Sequence, residues 1–187
     1  MISKLDAARR QLEAAIRLVA AIDDDLAIHT LTMAAHGILE PLIRGQDFYK
    51  LGLKPHLDSI GKPHIWDKAN FLKHADRDPD GLLASFDPTD NDWRIGFCLL
   101  IYRVLSGELT PLMAAFHFWM IVRHPDQFSL EEEDDPAFEE AYREAIAFQR
   151  SQGRPADVVL LGVLIEQFKQ GEIPLNADLR RRTRKQP

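Results

Sequence analysis

A single cysteine, Cys98, stands in 187 residues, which removes any internal disulfide and any CxxC metal or redox motif. It lies inside IGFCLLIY, an apolar setting that favours a buried thiol over a nucleophile. Long apolar runs are missing as well. The opening MISKLDAARRQLEAA has no apolar centre of a secretory leader. The longest near-apolar stretch, Pro111 to Val122, is too short to span a bilayer and contains His117. These absences set the expectation of a cytoplasmic protein with no membrane partner. Excess basic charge is absent too: 23 Lys and Arg stand against 29 Asp and Glu, and the net charge of −6 excludes broad electrostatic binding of nucleic acid, leaving only a local basic pocket for that purpose. No glycine-rich phosphate loop, no Ser-His-Asp order and no internal repeat occurs. No segment alternates apolar and polar residues between turn signals as a half-buried strand does; VVLLGVLI has strand-like composition, but EQFKQG continues it as a helix.

What is present is ordinary globular material. Hydrophobic residues make up 45% and charged residues 28%, enough to bury a core and too apolar for disorder. The length fits one domain, expected over residues 1–178, with a basic and disordered tail over 179–187.

The apolar residues recur at helical spacing. Leu5, Ala8, Leu12, Ala15, Ile16, Val19 and Ile22 form one stripe of a first helix from Lys4 to Ile22, opened by a Ser3/Asp6 capping box. Arg9, Glu13 and Arg17 make a charged row on its other side. Asp23, Asp24 and Asp25 restart the chain into a second helix ending near Arg44, striped by Leu31, Ala35, Ile38, Leu39 and Leu42 and kinked by Pro41 near Gly37. Residues 45–64 read as an irregular excursion with one short helix. A third definite helix covers Ile65 to Ala75, and a fourth covers Asp92 to Leu105, stopped by Ser106-Gly107. Thr110-Pro111 is a strong start signal for a fifth, LMAAFHFWMIVR, apolar on nearly every side and therefore central. A sixth runs from Ala137 to Ser151 with Phe138, Ala141, Tyr142, Ala145 and Phe148 inward, and a last one, DVVLLGVLIEQFKQ, ends at Gly171. The predicted architecture is all-α, an antiparallel bundle of about six or seven helices.

The chemistry-bearing residues are sparse. In Lys68-Ala-Asn-Phe-Leu-Lys-His74, Asn70 and His74 stand one helical turn apart, with Lys73 and Lys68 as nearby cations. This resembles part of the motif of HEPN-domain proteins, an all-helical superfamily containing many RNA-cleaving toxins, in which an arginine precedes a histidine by four to six residues and an asparagine often follows the arginine. Ala69 occupies the arginine position here, and Lys68 supplies charge without the two-pronged hydrogen bonding of guanidinium. The resemblance implies a metal-independent ribonuclease, or an inactive relative, with His74 moving the proton and Lys68, Lys73 or Arg77 stabilising the phosphate. The bland alternative is that Asn70 and His74 merely finish a helix. The stretches IHTLTMAAHGIL and ANFLKHADRDPD are also similar to a group of bacterial all-helical proteins; that resemblance implies the fold and brings no activity with it.

Asp76, Asp78 and Asp80 with Gly81 match the start of a calcium loop, with Leu83 and Asp87 at later loop positions. Pro79 and the shorter Asp87 favour an acidic turn instead. His29 with His36, and His117 with His124, stand seven apart, along one face but about 10 Å from each other, too far to share a metal. His36 and Glu40 have better ligand spacing, yet satisfied core histidines are the simpler reading. No metal site is favoured and no cofactor is expected. The leading expectation is a non-enzymatic helical interaction protein acting as a homodimer. The HEPN-like ribonuclease, with RNA as partner, and a metal- or small-ligand-binding bundle are the alternatives.

Overall fold

The computed structural model describes residues 1–43, 62–74, 76, 79–83, 86–124, 136–152 and 154–173. Seven helices form among them: α1 Lys4–Ala21, α2 Asp25–Ile43, α3 Lys62–Lys73, α4 Thr89–Ser106, α5 Pro111–Arg123, α6 Pro136–Gln152 and α7 Arg154–Gln170. No strand occurs among the described residues, and the helices pack on one another as an all-α bundle. The short helix expected within 45–64, Arg77, Asp78 and the tail 179–187 lie outside the described residues; 62–64 belong to α3.

Local chemistry accounts for most helix ends. The Asp6 N–H donates to Ser3 Oγ at 3.0 Å while the Ser3 N–H donates to Asp6 Oδ2 at 3.2 Å, so an aspartate serves in a box usually closed by glutamate. Asp24 Oδ1 accepts from the Ala27 N–H at 2.7 Å and starts α2. α4 begins at Thr89, three residues before the predicted Asp92, because Asp87 Oδ1 accepts from both the Thr89 N–H (2.9 Å) and its hydroxyl (2.8 Å). Thr110 Oγ1 accepts from the Met113 N–H at 3.4 Å with Pro111 at the first helical position. Gly107 and Gly171 end α4 and α7 in the left-handed region, at φ 86° and 75°. α1 ends by the same device with the wrong residue. Asp23 N–H reaches Leu18 O and Ile22 N–H reaches Val19 O, both at 3.1 Å, which places the β-branched Ile22 at φ 54°. That conformation costs roughly 1–3 kcal/mol for a non-glycine residue.

α5 is the centre. Every residue from Leu112 to Val122 is buried, and the helix packs against α1, α4, α6 and α7. Phe118 links α5 to both last helices, with ring centroids 6.4 Å from Tyr142 on α6 and 6.0 Å from Phe168 on α7. Burial of such aromatics supplies about 1.5–3 kcal/mol each and dominates the core. α1 packs most extensively on α2, and α2 in turn on α4; α3 lies against α2 at the edge of the bundle, and its Lys68 side chain reaches Asp90 at the start of α4. Among the described residues α2 is long and apolar enough to cross a membrane by length and composition, which Pro111 to Val122 is not, and 44% of that window is buried inside the fold.

Two faces differ from the apolar stripes. α2 buries Ile28, His29, Thr32, Ala35, His36, Leu39 and Ile43, while Leu42 points outward. On α6, Ala145 is buried but Phe148, one turn on, is exposed, and the side chain of Phe138 lies outside the described residues.

Candidate functional site

The start of α4, Thr89-Asp-Asn-Asp-Trp-Arg94, sends side chains to several different elements. Asp90 Oδ2 accepts from Lys68 Nζ on α3 at 2.5 Å. Asp92 Oδ2 accepts from Arg123 Nη1 at the end of α5 at 2.6 Å. The Trp93 ring lies 4.6 Å from that of His124, just past α5. Arg94 Nη1 lies 3.7 Å from Met33 Sδ on α2.

Asn91 is the pivot of this layer. Its Nδ2 donates to the Asp25 carbonyl at 2.9 Å, which orients the amide and turns Oδ1 toward His29 Nδ1 at 3.1 Å. An amide oxygen only accepts, so His29 carries its proton on Nδ1. Burial is the main cause that lowers the His29 pKa from its usual 6.5 to about 4, against the opposing pull of the Asn91 bond, and the ring is neutral at physiological pH. The ring is fully buried, and edge-on to Phe86 at 5.4 Å. Lys68 extends over the other ring of this pair, its Nζ 4.7 Å from the Phe86 centroid.

The residues predicted for catalysis separate into two groups. Lys68 is half-buried and engaged with Asp90, inside the layer just described. Asn70 and Lys73 are exposed on α3, and His74 follows its last turn with a side chain 36% exposed. The His74 N–H donates to Asn70 O at 3.0 Å, so the backbone joins them across one turn. His74 Nδ1 stands 4.0 Å from Asp76 Oδ1, placing a carboxylate beside the imidazole.

Of the metal candidates, His29 and His36 are buried on α2, and Glu40 lies close enough to His36 to oppose the downward shift that burial imposes on its pKa. Asp76 and Asp80 are exposed, and Asp87 is engaged by Thr89, the first residue of α4. No group of three His, Cys, Asp or Glu side chains placed to hold a metal ion occurs among the described residues. Cys98 is fully buried on α4, and burial pushes its thiol up to about 12, so it stays protonated and unreactive.

Sequence reading misses Asn91, Asp92 and Arg123. The available signal is the run Asp-Asn-Asp at a helix start followed directly by Trp93 and Arg94, more hydrogen-bonding capacity than one cap uses. Comparisons of the chain with family models, with curated proteins and with solved structures find no match.

Proposed function

We propose that the protein is a non-enzymatic helical interaction module that self-associates through the outer face of α7. One observation carries this reading. Val159 and Val163 stand one turn apart on α7 and are 59% and 49% exposed, with Gly162 beside them and open space where its Cβ would be. Exposed valine and glycine both lower helix stability relative to alanine, so this strip costs the isolated chain something that its half-exposed side chains recover only in part. A flat β-branched strip flanking a glycine lets a second helix approach closely, and the same strip on a second copy is complementary to it under a two-fold axis. Glu166 and Lys169, paired at 2.7 Å on the following turn, supply a polar border. Light scattering coupled to gel filtration is expected to give twice the chain mass of 21.3 kDa. Val159→Asp with Val163→Asp is expected to give a monomer with unchanged helicity, since both side chains already face solvent. A monomeric wild type, or a variant that dimerises as before, contradicts the reading.

A second reading is favoured by the outward placement of Asn70, Lys73 and His74, with Asp76 beside the imidazole. In a HEPN-like, metal-independent ribonuclease, His74 would take the proton of an RNA 2′-hydroxyl as that oxygen attacks the neighbouring phosphorus, and the 5′-oxygen would leave as an alcohol with a proton from water. Asp76 would orient the ring, and Lys73 would stabilise the phosphate, Lys68 being engaged by Asp90. Under this reading single-stranded RNA is cut in EDTA, and His74→Ala slows cleavage by a factor of about 100 or more. RNA left intact by the wild-type protein, or cut equally by His74→Ala, ends it.

A further inference from the structure

We infer that a cavity of about 250 Å³ where the end of α1, the starts of α2 and α4, the end of α5 and α7 meet is a binding site for a small organic cation, an amine carried on a compact apolar body. This goes beyond the interaction reading and uses none of its residues.

The walls define the class of ligand. Val19, Ile28, Trp119 and Val158 make an apolar lining, suited to a hydrocarbon body. The charged groups are Asp23, Asp25, Asp92 and Arg123. Asp92 and Arg123 neutralise each other at 2.6 Å, so the cationic wall member is already satisfied and does not select an anion. Asp23 and Asp25 remain, and the net character of the cavity is acidic. Asp25 is half-buried at the edge of this space, burial first and the neighbouring Asp24 second push its carboxyl above the usual range, and no cation pairs with it among the described residues. An ammonium group placed there would supply that cation. The size sets the scale of the body. At roughly 30 Å³ per water the cavity holds the volume of about eight waters. That is below the roughly 300–1,000 Å³ of sites for drug-sized molecules, and it suits a ligand of about eight to ten non-hydrogen atoms. The rim is built at a cost: Ile22, 74% exposed and in the left-handed region, borders the opening.

Three probes of one shape and different charge test this on the full chain: cyclohexylmethylamine, cyclohexylmethanol and cyclohexanecarboxylate. Amide and indole NMR shifts are followed during each titration. The amine is expected to shift the Trp119 indole and the backbone of Ile28 and Val158, and to bind at least tenfold more tightly than the alcohol, with the carboxylate weakest. Asp25→Asn is expected to lower the amine's affinity about tenfold and leave that of the alcohol unchanged. Val158→Phe, which fills the space from a half-exposed position on α7, is expected to weaken all three. Equal affinity of the three probes for the wild-type protein, shifts confined to other residues, or an amine affinity untouched by Asp25→Asn overturns the inference.

Discussion

Arg123→Met is expected to lower the stability of the fold by about 3–5 kcal/mol, the range for stranding one member of a buried ion pair. The side chains of Asp92 and Arg123 are 8% and 17% exposed, and the charges meet at 2.6 Å. Asp92 lies in the first turn of α4 and Arg123 in the last turn of α5, so each end of the pair is also favoured by the helix that carries it. The Arg123 guanidinium further covers the ring of Trp119 at 4.8 Å. Removing the cation leaves the carboxylate desolvated, which is the expensive half of the interaction. Removing both charges is different: the double variant Arg123→Met, Asp92→Leu is expected to recover most of the loss, because desolvation of the pair offsets most of its attraction. Urea unfolding of the wild type and the two variants measures this. A cost below about 1 kcal/mol for Arg123→Met would place the pair with surface salt bridges, and the polar layer at the start of α4 would lose its main structural strut.

The second large effect is in pH. With a pKa near 6.5 in the unfolded chain and about 4 in the fold, His29 takes up a proton on unfolding throughout that window. Its contribution is fully present above pH 6.5 and is lost as pH falls toward 4, a change of about 3 kcal/mol for a shift of this size. His36, also lowered by burial, acts in the same direction. Stability of the wild type is therefore expected to fall between pH 6.5 and 4 more steeply than that of His29→Gln, which keeps a hydrogen-bonding group toward Asn91 and has no proton to gain. Parallel stability–pH curves for the two proteins would show that burial does not lower the His29 pKa in the fold.

The same residues show how far the sequence could be read. Helix positions were legible where the information is local: the Ser3/Asp6 box, the Thr110-Pro111 start, the Ser106-Gly107 stop and the all-round apolarity of α5 all lie within a few residues of what they determine. The buried face of α2 was legible only in part. Apolar counting turns Leu42 inward and leaves Thr32, which the fold buries, unassigned, while the expectation of core histidines agrees with the burial of His29 and His36. Thr32 manages this alone, its hydroxyl donating to Ile28 O at 2.8 Å. His29 needs Asn91, 62 residues away, and no periodicity in α2 can announce a partner on α4. The start of α4 hid for the matching reason. Three hydrogen-bonding side chains before an apolar run look like a solvated cap, and only the placement of α2, α3 and α5 around them turns each toward a partner. For Asn70, Lys73 and His74 the sequence supplied the spacing, while their exposure depends on α3 lying at the edge of the bundle.

The ionisable groups between α2, α3, α4 and α5 hold helices together, through Lys68 with Asp90 and Arg123 with Asp92. Nitrogen-resolved NMR of the imidazoles, with His29 assigned by its loss in His29→Gln, tests that claim at its centre. The expected result is a neutral ring protonated on Nδ1 from pH 7 down to near pH 4. A ring that titrates near pH 6.5, or one protonated on Nε2 with Nδ1 bare, would contradict it.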